Sequence, residues 1–149
     1  MADIYLDLLD NLTDAINAAA ITGCPTAVVR FNPKEATENI PDDGVLFVTT
    51  PPDAIAEDLF DSDAVAATLR AYIILIVPGT HDETDARAGL ALLRSIGDAL
   101  RGLDIAGDQA TYTWVGSTVP VPLDIEKLQD DRQYFGVLNM TYQVGITLD

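Results

Sequence analysis

Apolar and polar residues recur with two different periods along this chain, and the periods separate candidate helices from candidate strands. Residues 3–20 repeat apolar side chains every three to four positions, which is the spacing of an amphipathic helix with one buried face. Residues 82–103 show the same period and hold a glycine, Gly102, near their end. We therefore predict two main helices, near 3–20 and 82–103.

Strand patterns occur in five segments that are rich in branched and aromatic residues. They lie near residues 26–31, 45–50, 66–77, 110–119 and 134–148. Within the third segment, residues 73–77 leave no polar side, which predicts a central strand that is covered on both faces. The last segment alternates from Tyr134 onward, which predicts a long strand with one buried face.

The order of these elements predicts the fold class. Residues 53–63 predict a short helix or an acidic loop, and residues 125–132 predict an exposed connection or one helical turn. The whole predicts the α+β class: a mixed, mainly antiparallel sheet of four to five strands with two main helices packed on it. A length of 149 residues favours a single domain over 1–149, and the lack of a long apolar run argues against a membrane span.

Charge is the most unusual bulk property of the chain. It has 24 acidic and 8 basic residues, a net charge of −16, and its isoelectric point is near 4.1. This balance argues against direct binding to a nucleic-acid backbone, because such affinity comes from clustered Lys and Arg. Three explanations stay open: a solubility device, adaptation to high salt, or a lining for a passage through which DNA slides without sticking.

The acids concentrate in one stretch of the chain. Residues 33–63 hold nine acidic residues and one lysine, so they carry a net charge of −8, which is half of the total. A solvated loop face explains this charge most simply. The alternative is a local negative surface that matters in an assembly.

The turn after the most apolar strand is placed like the phosphate-binding turn of many nucleotide-binding proteins. A phosphate cradle needs several glycines and usually a lysine, whereas this turn has Gly79 alone and leads into three acids. Thr80 and Glu83 fit a capping box instead, in which Thr80 accepts from the backbone N–H of Glu83. We therefore predict that the turn joins two elements and holds no phosphate.

Other reactive side chains form no recognisable site. His81, Asp82 and Asp85 are of metal-ligand types but lack a ligand spacing, so we predict no metal. Ser117 is not in a G-x-S-x-G elbow, and Cys24 has no basic neighbour that would activate its thiol. We expect no catalytic residue and no cofactor, and hence no enzyme.

One basic pattern stands out in this acidic chain. Arg87, Arg94 and Arg101 lie seven residues apart on the second helix, so successive members drift only about 20° around its axis and form one stripe. A solvated face with local ion pairs, Glu83 with Arg87 and Arg94 with Asp98, is one explanation. The other is a basic ridge at a subunit interface, where planar guanidinium groups bind carboxylates of a neighbouring copy.

The apolar strand AYIILIVPG is followed by the helix ARAGLALLRSIGDALRGL, then by YTWVGSTVPVP and by the closing strand YFGVLNMTYQVGITLD. These stretches, in this order and at this length, resemble the tail-terminator, or tail-completion, proteins of long-tailed viruses of bacteria and archaea. The resemblance is one of pattern and element order over most of the chain. The acidic segment 33–63 has no counterpart in it.

The resemblance implies a structural virion protein, made in the host cytoplasm and placed at the head-proximal end of the tail. Its copies would form a homo-oligomer, a hexameric ring, that caps the tail tube, ends tube growth and contacts the tail-tube protein and the head-tail connector protein. DNA would pass through the ring without specific binding, repelled by a carboxylate-lined lumen. The composition also fits a halophilic host. Candidates for the acidic lumen or rim are the 104–110 loop and Glu35, Glu38, Asp42, Asp43, Asp58, Asp61 and Asp63.

Other function classes stay open at this point. The first is a different virion part, such as another head-tail connector or neck component; a tail-tube subunit would show more strands and less helix. The second is an acidic DNA mimic, which needs regularly spaced exposed acids, whereas these acids bunch. The third is a small α+β enzyme, which needs a convergent reactive site that the sequence does not display.

Overall fold

The computed structural model describes residues 4–31, 40–51, 55–59, 64–79 and 82–147. It confirms the α+β class, with a largely antiparallel sheet that packs one of its faces against helices.

Three helices lie within the described residues: α1 (Ile4–Ala18), α2 (Glu83–Leu100) and α3 (Ile125–Asp131). The first two confirm the two predicted main helices. The third is longer than the connection or single turn that the sequence predicts. It gains length because the side chain of Asp124 caps it, accepting from the backbone N–H of Lys127 at 3.1 Å.

The N-terminus of α2 differs from the predicted one. Asp82 is the N-cap residue, and its carboxylate accepts from the backbone N–H of Asp85 at 2.9 Å. The prediction of a capping box from Thr80 to Glu83 is therefore wrong. Aspartate is at least as good an N-cap residue as threonine, so the helix starts at Glu83, directly after Asp82. Thr80 lies outside the described residues.

The described residues form seven strands, so the predicted number of four to five is too low. In chain order they are β1 (Ala27–Val29), β2 (Val45–Thr49), β3 (Ile55–Leu59), β4 (Ala64–Pro78), β5 (Ile105–Ala106), β6 (Thr111–Val121) and β7 (Gln133–Thr147). All five predicted strands are present, within a few residues of their predicted ends. The two strands that the sequence pattern missed are β3 and β5, which have five and two residues.

The sheet is built around two long antiparallel strands. β4 and β7 pair along their full 15 residues, from Ala64 opposite Thr147 to Pro78 opposite Gln133. The strand order is β1-β2-β4-β7-β6-β5, and β3 pairs with β4 outside this path. Only β1 and β2 pair in parallel among the described strands, which confirms the predicted mixed, mainly antiparallel sheet.

The strand β3 overturns the prediction of a short helix or an acidic loop at 53–63. β4 extends toward its N-terminus beyond the reach of β2, which pairs only with residues 72–76 of β4. The exposed backbone of residues 65–69 of β4 is instead satisfied by β3. Pairing with an available edge thus outweighs the low strand propensity of the acids in this segment.

The main core lies between the helices and one face of the sheet. Buried side chains of α1 and α2 that form it are Leu8, Leu9, Leu12, Ile16, Leu93, Ile96 and Leu100. The predicted alternation along β7 is confirmed, since its buried side chains on this face are Tyr134, Leu138, Met140, Tyr142 and Val144. Burial of these apolar groups is the main favourable contribution to folding.

The strand β4 is central and buried on both faces, as its sequence predicts. Ile73 and Leu75 belong to the main core. Ile74 and Ile76 point the other way and pack with Phe47 in a smaller cluster. Residues 73–76 are all apolar because side chains on each face of the strand pack into a separate hydrophobic cluster.

A close approach between α2 and β7 fixes the position of the helix. A Cβ atom added at Gly136 would meet the Oη of Tyr134 at 2.6 Å, and one added at Gly89 would overlap the ring of the same tyrosine. The two glycines therefore let the helix and the strand sandwich this ring. Residues of α2 also line a groove together with residues of β6, the strand next to β7 in the sheet.

Candidate functional site

Most of the reactive side chains named above lie in the described part of the chain. That part has no group of three or more His, Cys, Asp or Glu side chains arranged to hold a metal ion. Asp82 caps α2, Asp85 is exposed, and His81 lies outside the described residues. Burial raises the pKa of the Cys24 thiol, and its Sγ donates to the carbonyl of Pro25 at 3.3 Å, so the thiolate is disfavoured.

All three arginines of the predicted stripe are exposed on α2. Arg87 forms the predicted ion pair with Glu83 at 2.7 Å. The predicted pair of Arg94 with Asp98 is wrong for the described residues, where the ion pairs found do not include it. An exposed i,i+4 pair contributes only about 0.2–0.5 kcal/mol, and it is weaker when the base precedes the acid, as Arg94 precedes Asp98, than when the acid precedes the base, as Glu83 precedes Arg87. Arg94 and Arg101 instead line a groove.

This groove, which we call the α2–β6 groove, has a volume of about 590 Å³. The two arginines line it together with Leu90 of α2, Trp114 and Val119 of β6 and the buried Leu138 of β7; Asp98 is its one acidic residue. Leu90 and Val119 are 37% and 45% exposed. Apolar side chains beside two cations form a surface that suits a partner with acidic and apolar groups.

Part of the outer edge of β6, beside this groove, has no described strand next to it. β5 pairs with its outer side only at Thr111 and Tyr112, and no other described strand lies there. Val115 is 52% exposed on the free part. Two register shifts interrupt the ladder between β6 and β7, and Pro120 near the end of the strand lacks an N–H donor. Because the backbone N–H of Trp114 donates to the carboxylate of Asp104, the edge available for pairing is the part from Val115 to Val119.

Sequence reasoning found the basic side of the groove but missed its apolar side. Trp114 is half-buried there, its backbone N–H donates to Asp104 at 2.9 Å, and its indole Nε1 has no acceptor among the described residues. The available signal was that this is the chain's single tryptophan. Tryptophan is enriched at the energetic centres of protein interfaces.

The acids predicted for a lumen or rim fall only partly within the described residues. Asp42 and Asp43 are exposed in the turn before β2, and Asp58 lies on β3. The other four lie outside the described residues, namely Glu35, Glu38, Asp61 and Asp63. The sheet order places β3 and β6 on opposite sides of the central β4–β7 pair.

The 104–110 loop is held against α1 by a buried acid that the sequence analysis did not identify. Asp7 accepts from the backbone N–H groups of Asp108 at 3.0 Å and Gln109 at 2.9 Å, and from the hydroxyl of Tyr112 at 2.8 Å. Burial favours a higher pKa for this carboxyl, but the hydrogen bonds from Gln109, Tyr112 and the loop outweigh it and lower the pKa. An early helical aspartate also suits the helix dipole, so its sequence position does not reveal the burial.

None of the described helices combines the length and hydrophobicity that crossing a membrane requires.

Comparisons with known proteins bear on the fold. No protein-family model and no curated protein sequence matches the chain. Among solved structures, a chain in the virion of a native gene transfer agent particle is similar, with 13% identity, a TM-score of 0.52, and coverage of 99% of this chain and 99% of that one. The two chains therefore share a fold over their full lengths.

Proposed function

We propose that this chain is a structural protein of a tailed, virus-like particle. The observation that supports the proposal is the similarity of fold to a chain of the gene transfer agent virion, which spans 99% of both chains. A match over full length involves every element of the fold, so it is more than a shared sheet motif. In that role the chain acts as one α+β domain whose surfaces, and no reactive pocket, carry the function.

Within such a particle, we assign the chain to a ring that caps the tail tube. The ring ends tube growth and joins the tail to the head connector, and DNA passes through it. The net charge of −16 supports this role, because an acidic lumen repels DNA and does not retain it. Asp42 and Asp43, which are exposed, are the described acids best suited to that lumen or its rim.

Arg94 and Arg101 are the described cations that we place at the contact between neighbouring copies. Both line the α2–β6 groove, and neither forms an ion pair with another described residue. Arg87 belongs to the same stripe, but its charge already faces Glu83. A second role in the same particle, as another component of the neck, draws equal support from the fold comparison.

Deleting the coding sequence from the genome that encodes the particle separates these roles. Electron microscopy of the particles then measures tail length and head attachment. A tube-capping role predicts tails of uncontrolled, excessive length, because nothing stops tube growth. A neck role predicts tails of normal length that are detached from heads. Particles with normal tails, normal attachment and normal DNA delivery would contradict both roles.

A further inference from the structure

We propose that the α2–β6 groove receives the acidic edge strand β3 of a second copy of this chain, so that copies join head to tail. This inference rests on the proposed function for its biological setting. Its structural basis is separate: β3 and residues 115–119 of β6 each have one edge with no described strand beside it, and the two edges lie on opposite sides of the central β4–β7 pair.

The receiving edge is the free part of β6. Between Trp114, whose backbone N–H already donates to Asp104, and Pro120, which lacks an N–H donor, the outer backbone has no described strand beside it. Unpaired N–H and C=O groups of an edge strand are a template for an added strand. Arg94 and Arg101 line the adjoining groove, in which Asp98 is the one acidic residue, so the groove carries a net positive charge.

The inserted edge is β3, Ile55–Leu59. One of its sides pairs with β4, and no described strand pairs with the other. Its five residues fit within the free stretch of β6 before Pro120. Its sequence holds two consecutive acids, Glu57 and Asp58, which occupy opposite faces of the strand, so either face presents one acidic position; the strand lies in the segment 33–63 that holds half of the net charge of −16. Its chemistry thus complements a groove that is apolar and flanked by arginines.

The two edges also satisfy the geometry of repeated assembly. They are different surfaces of one chain, so a contact between them is heterologous and leaves a free β3 and a free β6 at the ends of every chain of copies. Such a contact closes into a ring when the rotation between neighbours divides a full turn. A symmetric dimer would instead need one surface that is complementary to itself.

Charge reversal on each edge tests the contact, with light scattering of the full chain over a range of concentrations as the measurement. Two double variants should each raise the concentration at which copies associate by at least about tenfold. The first carries Arg94→Glu and Arg101→Glu, and the second carries Glu57→Lys and Asp58→Lys. Arg87→Glu is the matched control, because it lies on the same stripe outside the groove and should shift that concentration less than about twofold. Thermal unfolding of each variant checks that it folds.

The decisive experiment combines both reversals. An equimolar mixture of the two reversed variants, and the chain that carries all four changes, should associate again because each contact regains opposite charges. Association that survives either reversal, a folded four-change variant that stays monomeric, or a wild-type chain that never associates would overturn this inference. The tail phenotype of the deletion is measured independently, so a failure here is distinguishable from a failure of the proposed function.

Discussion

Tyr142 places a hydroxyl in the main core without a partner. The residue is 0% exposed, and its Oη has no hydrogen-bond partner among the described residues. Burial, with the charge of Asp104 as a second cause, raises the pKa of this phenol, so the group stays neutral. A buried hydroxyl that gains no hydrogen bond costs about 1–3 kcal/mol of desolvation.

We therefore expect Tyr142→Phe to leave the free energy of unfolding unchanged or to raise it by about 1 kcal/mol. Tyr134→Phe is the matched control, since its hydroxyl donates to the carbonyl of Pro122 at 2.5 Å, and its loss should cost about 1 kcal/mol. Urea unfolding of both variants provides the measurement. A Tyr142→Phe variant that is less stable than Tyr134→Phe would show that the Tyr142 hydroxyl has a bonding role.

At the scale of elements, Asp7 ties α1 to the loop between α2 and β6. Because its folded pKa is lowered, it adds stability that is fully present above its unfolded pKa of about 3.9 and is lost as the pH falls through the folded value. We expect Asp7→Asn to reduce the free energy of unfolding by about 2–3 kcal/mol at neutral pH, because the new amide group donates where a carboxylate accepted.

The difference between wild type and Asp7→Asn should start to shrink when urea unfolding is repeated below about pH 4, where the carboxyl of the unfolded chain becomes protonated, and it should be lost as the pH falls through the lower pKa of the folded chain. Asp10→Asn serves as the control, because Asp10 is exposed on the same helix and its removal changes the net charge by the same amount. A stability difference for Asp7→Asn that does not vary with pH would rule out the charged form as the stabilising one.

The elements differ in how far their sequence reveals them. α1, α2 and β7 were predictable because their apolar periods are long and their burial is set by their own side chains. β3 was not predictable, because it forms where β4 extends beyond the end of β2. That extension is a property of the sheet, and the sequence of residues 55–59 does not reveal it. Only the basic side of the α2–β6 groove was predictable, because the groove also depends on how the sheet is arranged. The arginines share one helix, whereas Trp114 joins them only through the sheet.

At the scale of the whole molecule, the net negative charge destabilises the compact fold. A net charge of −16 on 149 residues produces self-repulsion that favours expansion, and dissolved salt screens it. Asp42 and Asp43 are adjacent, exposed and part of the most acidic segment, so they contribute to this repulsion at close range. The same repulsion opposes the approach of a second copy unless cations such as Arg94 and Arg101 meet it.

We therefore expect the Tm of the wild-type chain to rise by about 3–8 °C, or about 1–3 kcal/mol, between low salt and about 1 M NaCl. Asp42→Asn with Asp43→Asn should raise the Tm at low salt and gain less from added salt, because part of the repulsion is already gone. Gln129→Ala, an exposed uncharged change, should follow the wild type. A Tm that is independent of salt would mean that the fold already tolerates its charge, and the acidity would then have to be explained by what the surface meets, such as DNA or a neighbouring copy.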